Sequence, residues 1–318
     1  MRSFLDFEKP VADLEGQIQE LRRLGAEGGH VSTAEEVAAL EKKAQEALKA
    51  LYARLTPWQK AQVARHPDRP HASRYIDALI EEFTPLAGDR KYGEDKAVLA
   101  GLGRFRGEPV AVLAQEKGSD TQSRIERNFG MARPEGYRKA VRIMEMADRF
   151  GLPVIALVDT AGAYPGVGAE ERGQAEAIAR SIEACLRLTV PNVAVIIGEG
   201  GSGGAIAVAT ANRVYMLENA IYSVISPEGA ASILWRDSAR AQDAATAMKI
   251  TASDLLDLKV IDGIVPEPVG GAHRGPDEVV AKTGEVIAEA LAELGSLSRS
   301  ELHRERRERF LEIGRSLL

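Results

Sequence analysis

Residues 193–204 read VAVIIGEGGSGG, an apolar run that leads into five glycines within seven residues, and the stretch AIAVAT follows at 205–210. The apolar run predicts a buried strand, and the small residues after it predict a short helix. Glycines at such a bend allow a sharp turn and let another molecule approach the main-chain N–H groups closely. Because a helix N-terminus carries unpaired N–H donors and a partial positive charge, this turn predicts a site for a phosphate or a developing oxyanion.

A second glycine-rich loop lies one strand–helix unit earlier in the chain. It reads DTAGAYPGVG at 159–168 and follows the apolar run PVIALV at 153–158. The carboxyl ends of neighbouring parallel strands lie along one edge of a sheet, so we expect both loops to face one cleft. Two such loops suit a polarised carbonyl with a bulky neighbour, and they require no side-chain acid or base.

Helical and strand patterns alternate around the two loops. Apolar runs separated by helical stretches predict an α/β fold with a mainly parallel, buried sheet. Upstream, the runs at 97–102 and 109–114 predict a β-hairpin, and residues 73–83 have the pattern of a helix. Near the end of the chain, the mixed-charge run RERRER at 304–309 is interpreted as the solvated face of a helix.

The first 55 residues have a different character from the rest. Apolar residues recur at spacings of three and four in two stretches, which the sequence GAEGG at 25–29 separates. This pattern predicts two amphipathic helices joined as a hairpin. The hairpin either clasps the main domain or another subunit, or it packs only on itself.

The charge balance and the rarity of cysteine exclude several classes of protein. The 318 residues include 41 Lys and Arg against 47 Asp and Glu, whereas nucleic-acid binders usually carry a positive field. The single cysteine and the spacing of the five histidines predict no disulfide framework and no metal site in this chain. No signal-peptide pattern and no run of about 18 apolar residues occurs, so we expect a cytoplasmic protein without a membrane segment.

The glycine turn also matches the nucleotide-binding patterns. GxGxxG at 198–203 fits a dinucleotide fingerprint, but the helix predicted after it is shorter than a dinucleotide-binding unit normally needs. The P-loop interpretation fails because Ala205 occupies the position of the required lysine.

The strongest rival on motif alone is a serine hydrolase. GxSxG at 200–204 fits a nucleophile elbow, with Ser202 as nucleophile and His273 as base. Three aspartates stand in the right order for the third member, namely Asp254, Asp257 and Asp262. A third hypothesis, of a different class, is a non-catalytic scaffold in which the helical hairpin organises partners.

Several longer motifs carry a resemblance that covers essentially the whole chain. These motifs are FLDFE at 4–8, NFGM at 128–131, PEGYRKA at 134–140, GAYPGVGAEERGQ at 162–174, GEGGSGG at 198–204, YSVISPEG at 222–229 and PEPVGGAHR at 266–274. Together they closely resemble the carboxyltransferase alpha subunits of bacterial-type acetyl-CoA carboxylase. One departure is Ala161, where the family more often has proline. The chain lacks a four-cysteine zinc ribbon, which the family places on the beta partner.

The resemblance implies a crotonase-like α/β fold of ββα units with the N-terminal helical hairpin as an extension. The expected divisions are the hairpin at 1–55, the carboxyltransferase domain at 56–296 and a C-terminal helix at 297–318. It also implies an α2β2 heterotetramer with a zinc-ribbon beta subunit. A biotin carboxyl carrier protein and a biotin carboxylase that uses ATP complete the set of partners.

The implied reaction transfers a carboxyl group from carboxybiotin to acetyl-CoA and yields malonyl-CoA for fatty-acid biosynthesis. By motif position, the backbone N–H groups of Gly203 and Gly204 form the oxyanion hole for the biotin ureido oxygen. The residues expected to contact carboxybiotin are Gly162, Ala163, Tyr164, Pro165, Gly166, Gly200, Gly201 and Ser202. Ser202 is then a turn residue and not a nucleophile.

Basic residues gather upstream of the second loop. They are Lys117, Arg124, Arg127, Arg133, Arg138 and Lys139. This cluster either faces the CoA phosphates or the beta subunit, or forms an ordinary salt-bridged surface.

Overall fold

The computed structural model describes residues 3–26 and 34–315. Within these residues the chain forms one eight-stranded sheet with helices around it. The strands are β1 (Ile80–Pro85), β2 (Val98–Phe105), β3 (Glu108–Gln115), β4 (Val154–Thr160), β5 (Asn192–Gly201), β6 (Arg213–Leu217), β7 (Ile221–Ser223) and β8 (Gly263–Val265).

The helices come in three groups along the chain. Those before β4 are α1 (Lys9–Ala26), α2 (Ala34–Tyr52), α3 (Pro57–Ala64), α4 (Ala72–Leu79), α5 (Thr121–Glu126) and α6 (Pro134–Phe150). Those that alternate with the strands are α7 (Val167–Glu171), α8 (Gln174–Arg187), α9 (Ser202–Ala209), α10 (Pro227–Trp235), α11 (Ala241–Ala247) and α12 (Ala252–Asp257). The last two are α13 (Pro276–Gly295) and α14 (Arg299–Glu312).

The sheet is mixed, with the strand order β1-β2-β3-β4-β5-β6-β8, and β7 pairs with the end of β5. β1, β2 and β3 are antiparallel neighbours, whereas β3, β4, β5, β6 and β8 run parallel. Every residue of β4 and β5 is buried, which requires cover on both faces of the sheet. The predicted α/β fold, the β-hairpin and the mainly parallel sheet are confirmed.

One predicted helix is partly a strand. The helix expected over 73–83 ends at Leu79, and β1 begins at Ile80. Ile80 pairs with Phe105 of β2, so the edge of the sheet provides main-chain partners that local sequence does not reveal. Pairing with a distant strand therefore overrides the local helical pattern here.

The N-terminal hairpin packs on its own chain. α1 and α2 bury apolar side chains between them, among them Ile18 and Leu48, and the linking residues 27–33 lie outside the described residues. Arg274 Nη1 donates to Glu15 Oε1 at 2.6 Å, and Tyr52 Oη donates to the buried Glu8 at 2.9 Å. Of the two interpretations of the hairpin, attachment to the main domain is therefore the observed one.

The charged run in α14 is not simply a solvated face. Arg306 is completely buried, and its guanidinium donates to the carbonyl oxygens of Leu188 and Val190 and to Asn212 Oδ1. Arg304 in the same run has a side chain that is 67% exposed, as the sequence predicts. The interpretation of 304–309 is therefore wrong for Arg306, because helix ends and loop carbonyls from distant segments converge on that position.

Candidate active site

The glycine turn forms where β5 runs directly into α9. The strand continues to Gly201, and the helix begins at Ser202, whose φ of 52° is unusual for a residue with a side chain. Within residues 3–26 and 34–315, no side chain caps α9, and no backbone oxygen outside the helix accepts from Gly203 or Gly204. The first turn of α9 therefore presents uncommitted N–H donors at the carboxyl edge of the sheet.

The two glycine-rich loops lie in direct backbone contact. A Cβ atom on Gly201 would be 2.2 Å from the carbonyl oxygen of Ala161, and one on Gly204 would be 2.7 Å from the carbonyl carbon of Gly162. Both glycines are buried, whereas Ser202 and Gly203 between them are partly exposed. Glycine is therefore required at Gly201 and Gly204, because the loops approach more closely than any side chain allows.

Gly200 meets a different neighbour from the other glycines of the turn. A Cβ atom there would lie 2.8 Å from Tyr222 Cδ2, because Gly200 pairs with Tyr222 of β7 and with Thr160 of β4. The two loops thus follow β4 and β5, which are neighbours, and β7 lies beside the end of β5 at the same edge of the sheet. This pairing is the geometric reason why the two loops lie at one edge, as the sequence predicts.

Hydrogen bonds within the second loop and from its neighbours hold it in place. Thr160 Oγ1 accepts from Gly162 N at 3.1 Å and donates to Gly162 O at 2.7 Å. Tyr164 N donates to Ala132 O at 3.0 Å, and the buried Gln174 donates from Nε2 to Tyr164 O at 3.0 Å. The start and the middle of the loop are therefore anchored.

The predicted carboxybiotin contacts differ in exposure. Ala163, Tyr164 and Gly166 are partly buried, Gly162 is buried and Pro165 is exposed. The Arg133 guanidinium lies over the Tyr164 ring at 4.7 Å from its centroid, an arrangement that stabilises the ring by a cation–π interaction. The helical stretch that follows this loop is interrupted between α7 and α8, where Gly173 has a φ of 79°.

A cleft of about 230 Å³ opens beside Ala161, and charged side chains line it. Lys117 Nζ lies 2.8 Å from Asp159 Oδ1 and 3.4 Å from Glu199 Oε2. Arg65 pairs with Glu199 at 2.7 Å and with Glu228 at 2.6 Å. These ion pairs neutralise part of the lining, but Arg69 and Arg124 also line the cleft, so its cationic side chains outnumber its carboxylates.

Ionisation of Asp159 is secured by its neighbours. Burial would raise the pKa of the Asp159 carboxyl, but the ammonium of Lys117 and the N–H of Glu199, which donates at 2.9 Å, more than offset this effect. The net result is a pKa well below the ordinary value. Asp159 is therefore a buried carboxylate at neutral pH.

Comparison with known proteins identifies the family. A family model described as acetyl co-enzyme A carboxylase carboxyltransferase-like matches residues 4–314. The chain belongs to this carboxyltransferase family. Its relatives include the acetyl-coenzyme A carboxylase carboxyl transferase alpha subunits of Methylobacterium nodulans, 70% identical, and Brucella ovis, 67% identical, each over 317 residues and the full length of both chains. The resemblance seen in the motifs is confirmed, and the chain is an enzyme subunit of the carboxyltransferase class.

Solved structures support the crotonase-like fold. Transcarboxylase 12S superposes with a TM-score of 0.59 at 21% identity, covering 72% of this chain and 42% of that chain. A Pseudomonas malonate decarboxylase hetero-tetramer gives a TM-score of 0.57 at 18% identity, covering 71% of this chain and 92% of that chain. At such low identity these neighbours establish the fold alone.

The serine hydrolase alternative is not supported in this carboxyltransferase family member. The His273 ring stacks on His66 at 3.8 Å between centroids, and within the described residues its two buried ring nitrogens have no hydrogen-bond partner. Ser202 therefore has no histidine base, and Asp254 instead accepts from Thr251 Oγ1 at 2.7 Å in a helix cap.

Glu8, His66 and His273 place possible metal ligands near one another. The two rings are nearly parallel, with 11° between their planes, so an ion in the plane of one ring lies outside the plane of the other. Glu8 is already engaged by Tyr52 Oη and by Leu5 N at 2.8 Å. This cluster does not have the geometry of a metal centre.

In the basic cluster upstream of the second loop, two lysines are buried or nearly so and bond acidic partners, unlike the residues of a surface patch. Lys139 is buried and bonds Glu94 and the carbonyl oxygen of Asp95, while Lys117 holds Asp159. Sequence reasoning overlooked Asp159 as a partner for Lys117. The available signal was an acidic residue at the end of an apolar strand, a position where an unpaired charge is costly.

No helix among the described residues is both long enough and apolar enough to cross a lipid bilayer.

Proposed function

We propose that this chain acts as the alpha subunit in the transfer of a carboxyl group from carboxybiotin to acetyl-CoA, which gives malonyl-CoA. The observation that carries the proposal is the uncapped start of α9, where the N–H groups of Gly203 and Gly204 face no protein acceptor in the described part of the chain. Membership of the carboxyltransferase family supports it.

The geometry of the turn suits an oxyanion hole. Bound carboxybiotin supplies the carboxyl group, and its ureido oxygen is the acceptor that Gly203 N and Gly204 N are proposed to serve. Gln115 Nε2 donates to Gly204 O at 2.7 Å and thereby restrains the residue that carries the second of these donors. Preorganised donors of this kind contribute roughly 3 kcal/mol each to transition-state stabilisation.

The second loop is proposed to form the other wall of the carboxybiotin site. Its contact residues are Gly162, Ala163, Tyr164, Pro165 and Gly166, which face Gly200, Gly201 and Ser202 of the turn. Tyr164 offers an aromatic face whose orientation the Arg133 guanidinium stabilises. A wall without a carboxylate, imidazole or ammonium side chain accords with a reaction in which the protein supplies no base.

The assembly and its setting are also part of the proposal. The partner subunit is a zinc-ribbon beta subunit in an α2β2 heterotetramer, and a biotin carboxyl carrier protein, charged by an ATP-dependent biotin carboxylase, brings the carboxybiotin. The names of the relatives as alpha subunits support a multi-subunit enzyme. We place the complex in the cytoplasm, with the hairpin at 1–55, the carboxyltransferase domain at 56–296 and the C-terminal helix at 297–318.

The reverse reaction tests this function. Carboxyl transfer from malonyl-CoA to free biocytin is measured with this chain alone, with the beta subunit alone and with the two mixed. We expect activity only in the mixture. Absence of activity when size-exclusion chromatography shows that the two chains have assembled would contradict the proposal.

A further inference from the structure

The ladder between β4 and β5 is irregular just before the glycine turn. Val158 pairs with Ile196, but the next pair is Thr160 with Gly200, so β5 advances by four residues while β4 advances by two. Two extra residues of β5 are thus accommodated in this bulge. The bulge determines the position of the turn at the end of β5, and therefore the position at which α9 begins.

Asp159 occupies the position at which the regular ladder is interrupted. Its Oδ1 accepts from Glu199 N at 2.9 Å and replaces a main-chain carbonyl as the partner of that N–H. A Cβ atom on Gly198 would be 2.5 Å from the same oxygen, so the carboxylate lies directly over the backbone of the bulge. The side chain of Asp159 is 4% exposed, and water cannot take its place.

Lys117 supplies the charge that such a buried carboxylate requires. Its ammonium contacts both Asp159 and Glu199, and Arg65 holds Glu199 from the other side. The His71 ring also faces this carboxylate, with Nδ1 3.7 Å from Asp159 Oδ2. Lysine, two carboxylates and arginine thus form a connected network beneath the turn.

Besides this network, the turn is restrained by the bond from Gln115 to Gly204 O and by pairing with β4 and β7. Glycines have more conformational freedom to lose than any other residue, and those in the turn have no side chains with which to pack. A displacement of about 1 Å in a catalytic group is enough to cost about a hundredfold in rate. The orientation of the Gly203 and Gly204 N–H groups therefore depends on what restrains the bulge.

We propose that Lys117 and Asp159 are positioning residues for the oxyanion hole, which act on Gly203 and Gly204 through the bulge in β5. Neither residue is required to touch the substrate. The carboxylate of Asp159 holds the Glu199 N–H, and Lys117 keeps that carboxylate in place. This inference rests on the proposed function of the turn.

The test uses Lys117→Met, Lys117→Arg and Asp159→Asn, each assembled with the beta subunit. The chain offers a matched control in Asp262, whose Oδ2 accepts from Val214 N at 2.7 Å and pairs with Arg309 at 2.8 Å. Asp262 and these two partners lie near the amino end of β6, away from the turn. Asp262→Asn therefore changes the same kind of interaction without reaching the bulge.

We expect Lys117→Met and Asp159→Asn to lower kcat for carboxyl transfer by about tenfold to a hundredfold, with KM for malonyl-CoA changed less than about twofold. Lys117→Arg retains the charge and should recover most of the loss. In Lys117→Met the Asp159 carboxyl lacks its cation, so the acid limb of the kcat profile should move to higher pH. Asp262→Asn should leave kcat and its pH profile unchanged.

A second measurement does not depend on activity. Hydrogen exchange of the peptide that contains residues 198–206 should be faster in Lys117→Met and Asp159→Asn than in wild type or Asp262→Asn. Unchanged exchange and unchanged kcat in folded Lys117→Met would overturn the inference. Faster exchange in the two variants, together with an assembled wild-type complex that lacks transfer activity, would instead uphold the positioning role of Lys117 and Asp159 and reject the proposed function.

Discussion

A methyl group on Gly204 offers a sharp test of the contact between the two glycine-rich loops. The added Cβ would lie 2.7 Å from the carbonyl carbon of Gly162 and 2.8 Å from the N atom of Ala163. An ordinary contact between carbon atoms is about 3.5 Å, so the loops must separate by roughly 0.8 Å. The Gly204 peptide cannot simply retreat, because Gln115 holds its carbonyl oxygen.

The expected cost follows from that displacement. A misplacement of close to 1 Å lowers the rate by about a hundredfold, which corresponds to roughly 2.7 kcal/mol of transition-state stabilisation. Overpacking of this kind also destabilises a protein by about 1–3 kcal/mol. Gly204→Ala should therefore fold and assemble with the beta subunit but transfer carboxyl groups from malonyl-CoA to biocytin about a hundred times more slowly.

Gly284→Ala is the matched control. Its Cβ would also be 2.7 Å from the nearest atom, but that atom is Cδ2 of Leu79, the movable end of a side chain outside the active site. This variant should lose some stability in urea unfolding and retain its kcat. A Gly204→Ala enzyme as fast as wild type, or a Gly284→Ala enzyme as slow as Gly204→Ala, would refute the reasoning.

Three further predictions concern single side chains. Ser202→Gly should keep carboxyl transfer within about tenfold, because glycine tolerates the φ of 52°, whereas loss of a nucleophile costs about a millionfold in kcat. Arg306→Ala should lower the free energy of unfolding by about 3 kcal/mol through loss of buried, charged hydrogen bonds, while Arg304→Ala changes it by less than about 0.5 kcal/mol, both measured by urea unfolding. Burial lowers the pKa of His273 from its ordinary 6.5 to about 3, and the neighbouring His66 and arginines contribute to this shift. As the pH falls, the unfolded chain is therefore protonated at this position at a higher pH than the folded chain. Stability should therefore be complete above pH 6.5 and fall as the pH drops towards 3, and His273→Phe should reduce that fall when unfolding is compared at pH 7 and pH 5.

Local patterns in the sequence were sufficient for most of the elements. The apolar runs of β4 and β5 are each buried throughout, so their composition alone indicates strands covered on both faces. The glycines at 198–204 likewise predict an exposed set of N–H donors, because few other structures need so many glycines between a strand and a helix. The placement of the turn at the start of a helix was predictable for this reason.

Partners that lie far apart in the chain were not predictable. β1 was interpreted as part of a helix because its identity as a strand depends on pairing with β2. Arg306 was interpreted as solvated because its acceptors, at Leu188, Val190 and Asn212, come from segments about a hundred residues away. In both cases the local sequence is compatible with either state, and long-range contacts decide between them.

The sequence by itself determined the α/β class and the edge of the sheet at which the two glycine-rich loops lie, since these follow from composition and period. Only the tertiary structure decided that the two glycine-rich loops touch at Gly201 and Gly204, and that Lys117 and Asp159 lie beneath the turn. The physical reason is that backbone contacts and buried ion pairs depend on the register of β4 against β5, which includes a bulge that no local pattern marks.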